Sequence, residues 1–211
     1  MTGGALARLR RARVIAVVRA EAPDAAAGAA HALADAGVQA IELTFTTPGA
    51  GDALREARAR LPPEVLLGAG TVRTRHDVRA AVDAGAEFLV TPHLDRPLLE
   101  GMLETGLLTM PGVFTPSEVA VALDAGAEVV KLFPAGTGGP AHLKALRGPF
   151  PELQVVPTGG IRAADVQAWI DAGAAAVGAG SELCPPALVR GGDWDAVRAA
   201  AARYLDEAKD A

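Results

Sequence analysis

The chain has 211 residues, half of them hydrophobic, with 24 glycines and 15 prolines, which describes one turn-rich globular domain able to bury a sizeable core without covalent staples. Twenty basic against 25 acidic side chains leave a net charge of −5, so nucleic acid is not an expected partner. A single cysteine removes any disulfide framework or cysteine-ligated zinc site.

In chain order, an arginine-rich stretch, Leu6–Arg13, leads into the apolar run Val14–Val18. That run is too short for a signal-peptide core or a membrane span, so a cytoplasmic protein without a membrane partner is expected. Further apolar runs follow at Ala40–Phe45, Val65–Ala69, Phe88–Val90, Leu107–Met110, Val129–Phe133, Leu153–Val156 and Ala174–Ala179, with alanine-rich segments between them. Runs without polar alternation suit strands covered on both faces, and the intervening segments carry helix formers at helical spacing. Eight β units alternating with α units predict a (β/α)8 TIM barrel. An open doubly wound sheet shares the alternation and is the competing architecture.

The tripeptide Asp-Ala-Gly supports the same count. It closes helical segments at Asp35–Gly37, Asp83–Gly85, Asp124–Gly126 and Asp171–Gly173, at steps of 48, 41 and 47 residues. Each glycine falls where a helix end needs a left-handed residue, and each step holds two βα units. No linker, low-complexity tract or composition shift marks a second domain, so residues 1–211 read as a single barrel domain.

Reactive groups in such a barrel sit at the C-terminal ends of strands, which gives weight to polar residues inside apolar runs. Lys131, one of only three lysines, lies within Val-Val-Lys-Leu-Phe-Pro. Burying an ammonium is costly unless it is paired, and only lysine can form an imine with a carbonyl substrate. The alternative is a strand-end lysine reaching out to solvent. Glu42 makes the second break, in Ala-Ile-Glu-Leu-Thr-Phe-Thr. Alternation puts Glu42, Thr44 and Thr46 on one face and Ile41, Leu43 and Phe45 on the other. A carboxylate there suits the acid/base work of an imine mechanism, or else a structural ion pair with Lys131.

Three glycine-bearing strand ends resemble ligand cradles: Gly68-Ala-Gly-Thr71, Pro157-Thr-Gly-Gly-Ile161 and Gly178-Ala-Gly-Ser181. Two follow the last two strands, where barrels commonly hold phosphate on backbone N–H groups, and Thr158 and Ser181 add hydroxyls. Gly68 and Gly70 read equally well as relief of crowding in a tight turn. Arg19, closing the first strand, is the cation for an anionic substrate group, beside Ser181 if the barrel closes. His31, His76 and His142 lie on helical segments and read as solvated or helix-end residues. His93 either touches the site or caps a loop. Cys184 reads as a small hydrophobe, and Trp169 and Trp194 as helix packing residues.

Taken together, these residues resemble one family, the bacterial 2-keto-3-deoxy-6-phosphogluconate (KDPG)/4-hydroxy-2-oxoglutarate (KHG) aldolases. The resemblance runs from Val14 to about Pro186 and is carried by Ile41-Glu-Leu-Thr-Phe, Gly68-Ala-Gly-Thr-Val72, Pro111-Gly-Val-Phe-Thr-Pro-Ser-Glu118, Lys131-Leu-Phe-Pro134, Lys144-Ala-Leu-Arg-Gly-Pro-Phe150 and Pro157-Thr-Gly-Gly-Ile161. It implies a homotrimeric barrel that needs no cofactor, in which Lys131 forms the imine with a small keto acid and Glu42 shuttles protons. It further implies that Thr71 binds the pyruvate carboxylate, Phe133 lines the pocket, and Gly159, Gly160 and Ser181, in the Gly180-Ser181 turn, hold a distal phosphate. Two positions depart from the family pattern: Thr46, where many members carry arginine, and His93, where glycine is common. The expected activity is cleavage of KDPG to pyruvate and glyceraldehyde 3-phosphate, with 4-hydroxy-2-oxoglutarate as a second substrate. The competing functions are a phosphosugar isomerase or epimerase on the same barrel, and a non-catalytic phosphosugar-binding protein.

Overall fold

Residues 2–210 are described by a computed structural model. After a leading helix α1 (Thr2–Ala12) come β1 (Val14–Val18), α2 (Pro23–Asp35), β2 (Ala40–Thr44), α3 (Ala50–Arg60), β3 (Leu66–Gly70), α4 (Arg75–Asp83), β4 (Phe88–Val90), α5 (Arg96–Leu103), β5 (Leu108–Met110) and β6 (Gly112–Val113). The second half runs α6 (Pro116–Asp124), β7 (Val130–Leu132), α7 (Ala135–Arg147), β8 (Val155–Pro157), α8 (Val166–Asp171), β9 (Val177–Ala179), α9 (Pro186–Gly191) and α10 (Trp194–Asp210). All strand pairs are parallel, in the orders β5-β4-β3-β2-β1-β9 and β6-β7-β8. The result is an α/β fold with one domain built on a curled parallel sheet. Among the described residues no helix is long and apolar enough to cross a membrane.

The helix ends follow the glycines. Gly37, Gly85, Gly126 and Gly173 take φ of 95°, 85°, 100° and 100°. In each case the glycine N–H returns to a carbonyl three residues back and the next N–H to one five back, as with Gly37 to Ala34 and Val38 to Leu33. These are four Schellman motifs. The residue after each glycine, Val38, Ala86, Ala127 or Ala174, is buried, so the chain leaves the helix already aimed into the core.

Strand side chains alternate between two apolar clusters. Val14, Ala16 and Val18 of β1 and Ile41 and Leu43 of β2 pack outward with the helices. Ile15, Ala40, Leu66, Phe88, Leu108 and Val156 share the concave face. Leu6 and Leu9 of α1 join that inner cluster, and Arg8 pairs with Glu87 at 3.1 Å. The arginine-rich stretch is therefore an amphipathic helix that keeps water off the N-terminal end of the concave face.

The run expected as a single strand, Leu107–Met110, continues past Pro111 as β6. Proline has no N–H to donate to a ladder, and here the chain changes partner: β5 pairs with β4, while Pro111 O accepts from Lys131 N at 2.8 Å and β6 pairs with β7. Gly112 permits the bend, because a Cβ there would run into the Pro92 backbone. On the other side Thr158 bridges to Gly178, and Ala175 N donates to Val155 O at 2.8 Å. His142 departs from its solvated reading. Its ring stacks on Phe114 with centroids 4.6 Å apart, and Nε2 lies 2.7 Å from Phe114 O, which ties α7 to the loop after β6.

Candidate active site

A cavity of about 900 Å³ opens at the C-terminal ends of the strands. Arg19, Glu42, Thr71, Lys131, Phe133, Thr158, Gly159, Gly160, Gly180 and Ser181 all line it, although they come from six strands or the loops that follow them. Parallel strands deliver this convergence, because every strand ends at the same rim.

At its inner end the Lys131 ammonium lies 4.0 Å from Glu42 Oε1, with the side chains 6% and 3% exposed. Glu42 Oε1 is buried without a hydrogen-bond partner. Such an orphan acceptor is costly, and here it faces a cavity that can supply a proton donor. Room for the carboxylate comes from Gly70, where any Cβ would collide with it. Gly68 makes room in the same way for the Phe88 ring. Crowding accounts for both glycines, and the residue of that turn that reaches the cavity lining is Thr71, at φ 52°. A β-branched residue in the left-handed region stores strain, as binding sites often do. Lys131 Nζ stands 5.2 Å from the centre of the Phe133 ring, so an aromatic face shields one side of the amine.

The outer end is built from loops. Gly159 and Gly160 take φ of 96° and 75°, a conformation that glycine adopts freely. Gly136 N donates to Gly159 O at 2.9 Å, and Tyr204 makes a long 3.4 Å bond from below to Ile161 O. Burial raises the Tyr204 phenol well above its ordinary range, so it acts only as a neutral hydroxyl. Arg162, Glu182 and Arg190 also line this end, and the sequence reading missed them. Arg162, in the loop after β8, pairs with Asp165 at 2.8 Å; Glu182 Oε2, in the loop after β9, accepts from Ala163 N at 3.0 Å; and Arg190, on the short helix α9, meets Glu21 at 3.9 Å. No periodicity announces such residues.

His93 is not in the lining: Pro92 is, and His93 Nδ1 lies 3.3 Å from Thr91 Oγ1. Cys184 lines the cavity wall while only 5% exposed. His31 sits in α2 away from the site, its pKa lowered chiefly by burial. Trp169 is buried, and the Trp194 ring packs so closely on Gly28 that no Cβ fits between them.

Residues 6–200 match the family described as KDPG and KHG aldolase. The Escherichia coli K12 KHG/KDPG aldolase is 34% identical, with 93% of this chain and 92% of that protein covered. A Legionella pneumophila KDPG aldolase, captured with pyruvate as a covalent carbinolamine at low pH, superposes with a TM-score of 0.87 at 32% identity over 94% of this chain and 97% of that one. The Zymomonas mobilis ZM4 KDPG aldolase, solved with 3-phosphoglycerate, gives a TM-score of 0.82 at 29% identity over 95% and 93%. Matched by the family model over residues 6–200 and by relatives over more than nine tenths of its length, the chain belongs to the KDPG and KHG aldolase family.

Proposed function

We propose that the chain is a class I aldolase, a carbon–carbon lyase that cleaves KDPG to pyruvate and glyceraldehyde 3-phosphate through an imine on Lys131, and that also accepts 4-hydroxy-2-oxoglutarate. The observation that carries this reading is the buried pair at the inner end of the cavity: one primary amine and, 4.0 Å away, one carboxylate oxygen that accepts no hydrogen bond. The covalent carbinolamine of the Legionella relative is chemistry of the same kind.

Lys131 first passes a proton to Glu42, the freed amine Nζ adds to the C2 carbonyl with a proton moving from nitrogen to the new hydroxyl, and Glu42 returns its proton to that hydroxyl as the carbinolamine loses water to the iminium. The iminium then draws the electrons of the C3–C4 bond while Glu42 takes the C4 hydroxyl proton. The aldehyde departs, Glu42 returns that proton to C3 of the enamine, and addition of water to the resulting iminium frees pyruvate and the amine. The lysine serves as electron sink, so the cycle needs no cofactor. Thr71 holds the carboxylate of the keto acid, and Phe133 and Thr158 flank the reacting carbons. The Gly159-Gly160 turn, the Gly180-Ser181 turn and Arg19 receive the phosphate.

The closed (β/α)8 barrel is part of this reading. It is supported by Lys131 N to Pro111 O on one side and by Thr158 with Gly178 on the other. A homotrimer follows from family membership alone, and light scattering on the purified protein decides it. An isomerase or a binding protein on the same fold gives the buried amine no covalent task.

Borohydride reduction in the presence of pyruvate tests the proposal. It should leave one 1-carboxyethyl group on Lys131 Nζ and abolish activity, and Lys131→Arg, which keeps the charge but cannot form the imine, should lose both labelling and turnover. Appreciable cleavage by Lys131→Arg would defeat the assignment.

A further inference from the structure

The ends of β1 and β2 are joined by hydroxyls that the aldol chemistry leaves unused. Thr44 Oγ1 donates to the Val18 carbonyl at 3.1 Å, Thr44 Oγ1 and Thr46 Oγ1 lie 2.9 Å apart, and Arg19 Nε donates to Thr46 Oγ1 at 3.1 Å. One residue further, the Ala20 amide donates to Thr47 Oγ1 at 3.1 Å. The direction of each bond follows from its donors. A carbonyl only accepts, so the Thr44 proton goes to Val18, and the proton between the two threonines belongs to Thr46. A guanidinium only donates, so the Thr46 oxygen accepts from Arg19. Each hydroxyl both gives and receives, an arrangement that polarises and strengthens the chain.

This chain decides how Arg19 faces the cavity. Its Nε–H is taken, while its terminal amino groups have no hydrogen-bond or ion-pair partner among the described residues, and both Arg19 and Thr46 line the cavity. β1 pairs with β9 in the register Ala16 to Ala179, which puts the residues following these strands, Arg19 and Ser181, at the same rim. A planar guanidinium fixed at Nε presents two parallel donors to one oxyanion with little orientational freedom left to lose.

We propose that Thr46 is a positioning residue for the distal phosphate: its hydroxyl orients the Arg19 guanidinium so that both terminal amino groups grip the phosphate at the outer end of the cavity. This rests on the aldolase reading above and gives Thr46 a part that reading leaves empty. It also accounts for threonine where many family members carry arginine. The cation arrives from the end of β1 and the residue beyond β2 supplies its acceptor; a second guanidinium there would offer donors to a donor.

Steady-state cleavage of KDPG and of unphosphorylated 2-keto-3-deoxygluconate by Thr46→Val, Thr46→Ser, Arg19→Ala and the double variant Arg19→Ala/Thr46→Val tests this. Thr46→Val should raise KM for KDPG about tenfold with kcat within about twofold, and Thr46→Ser should restore it. Arg19→Ala should raise KM about 100-fold, and adding Thr46→Val to it should change nothing further, because Thr46 acts through Arg19. A parent-like KM in Thr46→Val, an undiminished Thr46 effect without Arg19, or an equal KM rise on the unphosphorylated acid would each overturn the proposal. Failure of the parent to release pyruvate from either acid would instead defeat the aldolase reading itself.

Discussion

At the inner end of the cavity Glu42 and Lys131 are 2% and 5% exposed, each on a strand and each inside a parallel ladder. At the outer end Arg19, Gly160 and Ser181 stand in solvent, on residues that follow strands. The inner groups are placed by the fold: Glu42 needs the gap at Gly70, and Lys131 needs the change of partner at Pro111. Moving either means moving a ladder. The outer groups are placed by side-chain bonds and turns, which can be exchanged without disturbing the core. The reaction class is thus written into the sheet and substrate preference into its loops.

The largest expected effect tests the inner end. Glu42→Gln keeps shape and burial but removes the proton shuttle, and kcat should fall by about 10²–10⁴. Pyruvate should still be trapped on Lys131, slowly, because the amine remains. Parent-level turnover would transfer the acid/base role to another group and leave the buried pair a structural ion pair.

A smaller effect, confined to one substrate, tests the outer end. Ser181→Asp puts a carboxylate where the phosphate is proposed to lie, and two unit charges about 4 Å apart repel by about 4 kcal/mol at an effective dielectric of 20. Ser181 is exposed, so solvent and salt reduce this to roughly 1–2 kcal/mol, about a five- to thirtyfold rise in KM for KDPG. Cleavage of 2-keto-3-deoxygluconate should change much less. Equal losses on both would mean that Ser181 supports the catalytic centre and that the two ends are not independent.

The same division explains what the sequence made legible. Glu42 and Lys131 stood out because each interrupts an apolar run, and period two put Glu42 and Thr44 on a common face. The Asp-Ala-Gly glycines stood out because left-handed helix ends favour one residue type. The role of α1 was missed although Leu6 and Leu9 carry helical spacing, since two leucines among the arginines of Leu6–Arg13 are too few to form an apolar run. β6 was missed because a two-residue strand beyond a proline leaves no run to count. Arg162 and Glu182 were missed because they lie in irregular chain, where Arg162 pairs with nearby Asp165 and Glu182 accepts from the Ala163 amide of another loop, and neither arrangement leaves a period in the sequence.

The smallest expected effect falls on the boundary between the ends. Cys184 lines the cavity wall, and if the outer end were open to its base this thiol would be reactive. Burial pushes its pKa up from 9.0 to about 11, with no neighbouring cation to offset it. The thiolate is the attacking form, so at pH 8 alkylation by iodoacetamide should be about 100-fold slower than for an ordinary thiol, the factor set by two units of pKa. The rate should climb about tenfold per pH unit until the fold gives way or pH nears 11. The stability linkage has the same sign: the unfolded thiol ionises first as pH rises through 9.0, so the contribution of the buried neutral thiol is lost between there and about 11. Cys184→Ala should leave pyruvate release near the parent rate. Rapid alkylation at pH 7 that pyruvate or phosphate suppresses would show that water reaches behind the outer loops, and the contrast between a dry catalytic end and an exchangeable binding end would then have to be redrawn with Cys184 on the wet side.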